Sequence, residues 1–229
     1  MRTCLTISLL ILVLLPGLAQ ETSSTIESPF RTLKVSGNIH LFLHPSDHQA
    51  LEISSGADPE ATIKRELDLD KGALLLRTET EITQSEAVRA DLYYVSLEAL
   101  ELQKGARVQS PDTLRAKTLV LDVLNGAKTE LFIHADSLSA RVNQGADIIL
   151  YGVVRAQSIN AYTWGNFLGY DLQATDTYVK AATGAQVKVW TTKRLEANAT
   201  GKAFVGYKGN PKRKETKATV GGEISPYED

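Results

Sequence analysis

The stretch N-Q-G-A-D-I-I-L-Y-G, Asn143 to Gly152, sets a Gly-Ala pair directly ahead of a run that reads as a buried strand. Glycine weakens a strand interior, because it packs no side chain and loses more backbone freedom than other residues. Its place here therefore needs a reason. The pair recurs at Gly105-Ala106, Gly126-Ala127, Gly145-Ala146 and Gly184-Ala185, with a degenerate Gly201-Lys202 at the end. Shifting by 19 residues from Gly145 lands on Trp164, with Gly165 in the alanine slot. The spacings are then 21, 19, 19, 20 and 17, a period near 20 of the kind that marks a solenoid.

The flanks agree with that reading. Ahead of the pair, apolar residues alternate at Leu119, Leu121 and Val123, and again at Leu138, Ala140 and Val142. Behind it they alternate at Thr129, Leu131 and Ile133, at Ile148 and Leu150, and at Val187 and Val189. Period two means strands with one buried face. Each repeat is two short strands hinged at a corner, with no segment between them long enough for a crossover helix. The expected fold is all-β, a parallel β-helix or solenoid with coils of about 20 residues, right-handed by the crossover preference. Gly105, Gly126, Gly145, Gly165, Gly184 and Gly201 are its corner posts. Each takes backbone angles other residues resist, and the neighbouring alanine fits where corners stack at about 4.8 Å.

The remaining segments are assigned around this array. Residues 1–19, M-R-T-C-L-T-I-S-L-L-I-L-V-L-L-P-G-L-A, have a basic start, an apolar centre and a small-residue exit. This is the pattern of a secretory signal peptide, and the apolar centre is short of the ~20 residues a membrane span requires. Residues 20–29 form a flexible leader, 30–211 the solenoid domain with its repeats from about 97, and 212–229 a polar tail. Strands at Phe30–His44, Ala50–Gly56, Gly72–Thr80 and Ala90–Leu97 make opening coils or a cap, with a short helix at Glu60–Glu66.

Composition removes several functions. The only cysteine, Cys4, lies in the signal, so a processed chain has neither disulfides nor thiol chemistry. Without Arg2 the balance is 24 basic against 27 acidic residues, a formal charge of −3 that gives no footprint for nucleic acid. Lys212, Arg213 and Lys214 read as a solvated end.

The F-x-x-L-x-V-x-G opening strand (Phe30 to Gly37), the Gly-Ala corners and the closing Y-x-G-N-P (Tyr207 to Pro211) together resemble the auto-transporter adhesin head GIN domain family, typical of Bacteroidota. The resemblance covers about residues 30 to 222 and implies a parallel β-helix with an adhesive role and no family active site. Trp164 in a corner slot departs from the pattern, as do Lys104 and Asn125, where many relatives carry serine.

Candidate chemistry is thin. His40, His44 and His48 lie on a segment that alternates like a strand, where four residues span about 13 Å, too far to share a zinc ion. Glu66 to Gly72 hints at a calcium loop but lacks its closing glutamate. No metal and no cofactor is expected. Asp122, Asp147, Asp171 and Asp176 are scattered, so a polysaccharide lyase or hydrolase is the alternative rather than the reading. Asp112-Thr113, Asp136-Ser137 and Asp176-Thr177 fit a second turn. The most suggestive feature is one aromatic per coil: Phe132, Tyr151, Tyr170, Trp190 and Tyr207. Such a column is either a self-stacking ladder or a stripe for a glycan or a surface protein. The expected protein is an exported, non-enzymatic envelope or surface module, in the periplasm or at the cell surface. A purely structural scaffold is the third reading.

Overall fold

The computed structural model describes residues 22–54, 63–68, 70–78 and 87–227. Residues 1–19 lie outside it. The described residues form sixteen strands and no helix.

The repeat folds into five long strands: β9 (Arg107–Val123), β10 (Lys128–Val142), β11 (Asp147–Ala161), β12 (Asn166–Ala181) and β13 (Gln186–Thr200). They stack in parallel, with Lys128 opposite Arg107 on one side and Asp147 on the other. The alternation explains their shape. In β10, Thr129, Leu131, Ile133 and Ala135 are buried, then Leu138, Ala140 and Val142. The phase slips at Asp136-Ser137, where two consecutive side chains stay out of the core, so the strand bends there into two arms. First arms stack into one face and second arms into the other, and their inward residues share one core.

Coils are joined by tight corners. Among the described residues seven pairs of consecutive residues carry positive φ there: Lys104-Gly105, Asn125-Gly126, Gln144-Gly145, Thr163-Trp164, Thr183-Gly184, Gly201-Lys202 and Val220-Gly221. At the second corner the N–H of Ala127 donates to the carbonyl of Leu124 at 3.1 Å, which closes a turn of type I′. The alanine that follows is fully buried in five copies: Ala106, Ala127, Ala146, Ala185 and Ala203. The corners also bond to one another. Gly126 N donates to Gln144 O at 3.1 Å, Gly145 N to Thr163 O at 3.1 Å and Trp164 N to Thr183 O at 3.1 Å, a ladder running along the edge.

Three expectations about the corners change. Trp164 takes the left-handed second position and Gly165 the buried alanine slot, as the spacing places them, so Gly165 is not itself a corner post; a Cβ on it would lie 2.7 Å from the Val142 carbonyl. Gly201 takes the first turn position and Lys202 the second, so the last interval is 18 rather than 17. A further corner at Val220-Gly221 follows.

That corner belongs to a coil inside the segment read as a polar tail. Beyond β14 (Phe204–Lys208), β15 (Arg213–Thr219) pairs with the second arm of β13, and β16 (Glu223–Pro226) pairs with β14, both in parallel. Its residues are polar because no further described coil covers them. Lys214, in register with the buried Leu195, donates from Nζ to the Tyr207 hydroxyl at 3.0 Å. Inward charge and Lys-rich edges are how a sheet ends without inviting another strand.

The opening third is a cap continuous with the solenoid, but its coils are permuted in space. β2 (Thr32–Ser36) lies between β6 (Ala73–Thr78) and β8 (Ala99–Gln103), while β3 (Ile39–Pro45) lies between β7 (Val88–Tyr94) and β9. Antiparallel strands seal that end: β1 (Thr22–Thr25) on β4 (Ala50–Ile53), β4 on β7, and β5 (Ile63–Asp68) on β6. The leader is thus partly a strand, followed by buried Ile26 and Phe30. The helix expected at Glu60–Glu66 is strand from Ile63 onward, because β6 offers it an edge to pair with.

Candidate binding surface

The aromatic residues expected to form one column take four separate placements. Phe132 and Tyr151 are register partners and stack with ring centroids 4.8 Å apart. Phe132 is 44% exposed. The Tyr151 hydroxyl donates to Glu130 at 3.2 Å, and Glu130 accepts from Gln109 at 3.0 Å, which contacts His40 at 2.7 Å. This polar chain crosses the outside of the first-arm face. Partial burial, with Glu130 beside it, raises the Tyr151 pKa above the usual phenol value.

The column breaks at a bulge. Ile149 faces Leu168, but Tyr151 faces Asp171, so Tyr170 is the extra residue. Its ring leaves the stack, crosses the face over Gly206, where any side chain would collide with the hydroxyl, and meets Tyr227 at 4.5 Å. Lys188 sits 5.7 Å from the Tyr170 ring centroid. Burial, then Tyr227, raises the Tyr170 pKa. Trp190 pairs in register with Lys208, whose ammonium lies 4.8 Å from the ring centroid. Tyr207 pairs with the buried Val189 and belongs to the core at 7% exposure.

The most exposed aromatic side chain among the described residues is Trp164, at 66%. Its φ of 62° is the left-handed conformation, and its indole lies against the next corner, 2.7 Å from where a Cβ on Gly184 would stand.

Several of the titratable side chains singled out in the sequence are occupied locally. His44 contacts Asp91 at 2.8 Å and His48 contacts Asp47 at 2.9 Å. The bond from His48 holds the Asp47 carboxyl below the usual range. Asp68, in the segment with a calcium-loop look, accepts from its own Lys71, which lowers its pKa. Asp122 holds Arg141, Asp147 holds Lys128 at 3.0 Å and Asn166 at 2.8 Å, and Asp171 lies 3.8 Å from Lys208. Among the described residues no three His, Asp or Glu side chains converge as metal ligands, and no helix is long and apolar enough to cross a membrane.

The second-arm face holds a feature the sequence reading did not pick out. Two shallow concavities of ≈ 360 and ≈ 400 Å³ meet at Lys180 and Asn198. They follow an outward column, Asn160, Lys180, Asn198 and Lys217, in strict register. Aligning the repeats by their corners and reading the outward positions brings these residues into one line.

The sequence profile of the family described as "Putative auto-transporter adhesin, head GIN domain" matches residues 29–211. The chain belongs to this family. Solved structures share the head GIN architecture at low identity. An adhesin described as putative, from Bacteroides fragilis, superposes with a TM-score of 0.81 at 14% identity, covering 91% of this chain and 97% of that one. One from Parabacteroides distasonis gives 0.70 at 18%, covering 91% and 98%. A protein described as putative lipid binding, also from P. distasonis, gives 0.65 at 16%, covering 93% and 98%. Comparison with curated proteins finds no match. These likenesses establish the head GIN fold, a parallel β-solenoid of about seven coils.

Proposed function

We propose that this head GIN protein is an exported, non-catalytic binding module displayed at the cell envelope and used for adhesion. The observation that carries the reading is Trp164. Its corner position is glycine at 105, 126, 145, 184 and 221, and only Lys202 otherwise holds a side chain there among the seven described corners. A side chain in the left-handed region costs roughly 1–2 kcal/mol. The indole recovers little of that by burial, since it is 66% exposed. Backbone strain that returns little to packing marks a position kept for another purpose. An exposed tryptophan is the side chain best suited to lie against a sugar ring or anchor a partner. The Phe132–Tyr151 stack offers a second apolar platform on the first-arm face.

The family supports adhesion, and the B. fragilis relative is described in the same terms. Asp122, Asp147 and Asp171 are engaged by cations or amides, and only Asp176 of the four has no hydrogen bond or ion pair among the described residues. They offer no pair of carboxylates ready to act as acid and base, which favours a binding surface over a lyase or hydrolase. A purely structural scaffold would tolerate loss of both platforms. The test is binding of the purified protein and of Trp164→Gly and Phe132→Ala to an array of glycans and matrix proteins, beside thermal unfolding of each. The reading expects Trp164→Gly to lose binding with Tm unchanged or raised. No binding by the wild type would leave the scaffold reading, and equal binding by all three proteins would show that neither aromatic platform carries it.

A further inference from the structure

The second-arm face carries one outward column in register: Asp122, Arg141, Asn160, Lys180, Asn198 and Lys217. The first two neutralise each other, with Arg141 Nε donating to Asp122 at 2.7 Å and a second guanidinium N–H bonding the other carboxylate oxygen. That contact raises the Arg141 pKa. The next four behave differently. Neither Lys180 nor Lys217 enters an ion pair among the described residues, and both are exposed. They stand two strand steps apart, roughly 10 Å, with Asn198 between them and Asn160 on the far side of Lys180. The two concavities run beside this line, one flanked by Tyr162 and the other by Tyr178 and Glu196. Arg194 fixes the Tyr178 hydroxyl at 2.8 Å.

The arrangement selects a ligand. A compact phosphate would need cations converging on one point, and here they are spread along a line. Nucleic acid would set a phosphate of every nucleotide along a groove that offers only two separated lysines and places Glu196 beside them. Amides and a carboxylate alternating with ammonium groups match a chain that carries hydroxyls throughout and an anionic group at intervals. We propose that this groove binds an acidic polysaccharide. Its carboxylates lie on Lys180 and Lys217, and its hydroxyls bond to Asn160, Asn198 and Glu196. The proposal rests on the reading of the protein as a binding module, gives that module a second surface and names the class of glycan.

The test is titration calorimetry with a hexameric oligogalacturonate, its carboxyl-reduced neutral counterpart and a polyglutamate peptide, at low and high salt. The proteins are the wild type, Lys180→Gln, Lys217→Gln and Trp164→Gly. Both lysines are exposed, so the glutamine variants keep the wild-type Tm, and a thermal melt of each verifies this. The acidic oligomer binds, weakens with salt and weakens about tenfold with each lysine replaced. The neutral oligomer and the peptide bind at least about tenfold more weakly. No binding of the oligogalacturonate, or a peptide that binds as well, overturns the proposal. Binding that survives both lysine changes and is lost in Trp164→Gly overturns the groove and leaves the aromatic reading standing. Binding lost with either lysine and kept in Trp164→Gly upholds the groove as a surface separate from the aromatic one.

Discussion

The indole of Trp164 covers Gly184 on the neighbouring corner, so closely that a Cβ there would stand 2.7 Å from Cε3. Both residues hold left-handed backbone, at φ 62° and 72°. Gly184→Ala should therefore destabilise by about 1–2 kcal/mol for the backbone alone, with a further few tenths for displacing the indole. In a Trp164→Gly background only the backbone part remains. A double-mutant cycle by denaturant unfolding measures the difference, and a coupling of zero would mean the indole does not rest on this corner.

The first turn position gives a broader version of the same argument. Thr163 and Thr183 are β-branched and carry φ of 44° and 54°, where Asn125 at 53° is the residue type that suits a type I′ turn. Replacing Thr183 with Asn should stabilise by about 0.5–1 kcal/mol, and replacing Asn125 with Ala should cost about 1 kcal/mol. Thermal unfolding of the two variants should move Tm in opposite directions.

Tyr94 is 3% exposed, and its hydroxyl has no hydrogen-bond partner. Burial, with Asp112 adding to it, pushes its pKa up to about 12 from a usual value near 10. The folded chain keeps this proton where the unfolded chain loses it, so stability is full below pH 10 and falls as pH rises toward 12. Tyr94→Phe should remove that part of the alkaline loss. At pH 7 it should be neutral or stabilising by about 1 kcal/mol, since it deletes an unsatisfied buried group. Urea unfolding at pH 7 and pH 11 checks both signs.

The terminal coil should behave as a cap. Ending the chain at Pro211 removes β15 and β16 and uncovers Leu195, Val205 and Tyr207, which are buried in the intact protein. A loss of about 2–4 kcal/mol and concentration-dependent aggregation are expected, read by thermal unfolding and light scattering. A truncated chain as stable and monodisperse as the full one would show that β15 and β16 cap nothing.

The sequence disclosed the repeat because its corners demand one conformation. Two successive left-handed residues favour Asn-Gly and Gln-Gly, which is why Gly126 and Gly145 stood out, and alternation marked the arms. The spacing puts Trp164 in a corner slot, but glycine alone misleads at Gly165 and Gly201, since nothing in composition announces that Trp164 and Lys202 are the strained residues. The order of β6, β2 and β8 was hidden because long-range pairing leaves no trace in local periodicity. The last coil read as a tail because, with no described coil beyond it, it has little reason to be apolar. The aromatic column failed at Tyr170 through a single extra residue in β12, which parity alone does not detect. The inward parity of Tyr207 was readable from Val205, two residues before it. The groove at Lys180 needed strand registers before its residues could be seen as neighbours.

Surface labelling of intact cells tests the account most directly. Antibody against the folded protein is applied to intact and then to permeabilised cells that produce it, with a periplasmic marker followed in parallel. The account predicts that intact cells label while the marker stays hidden. Labelling that begins only once the envelope is opened would contradict display, and with it the role in adhesion.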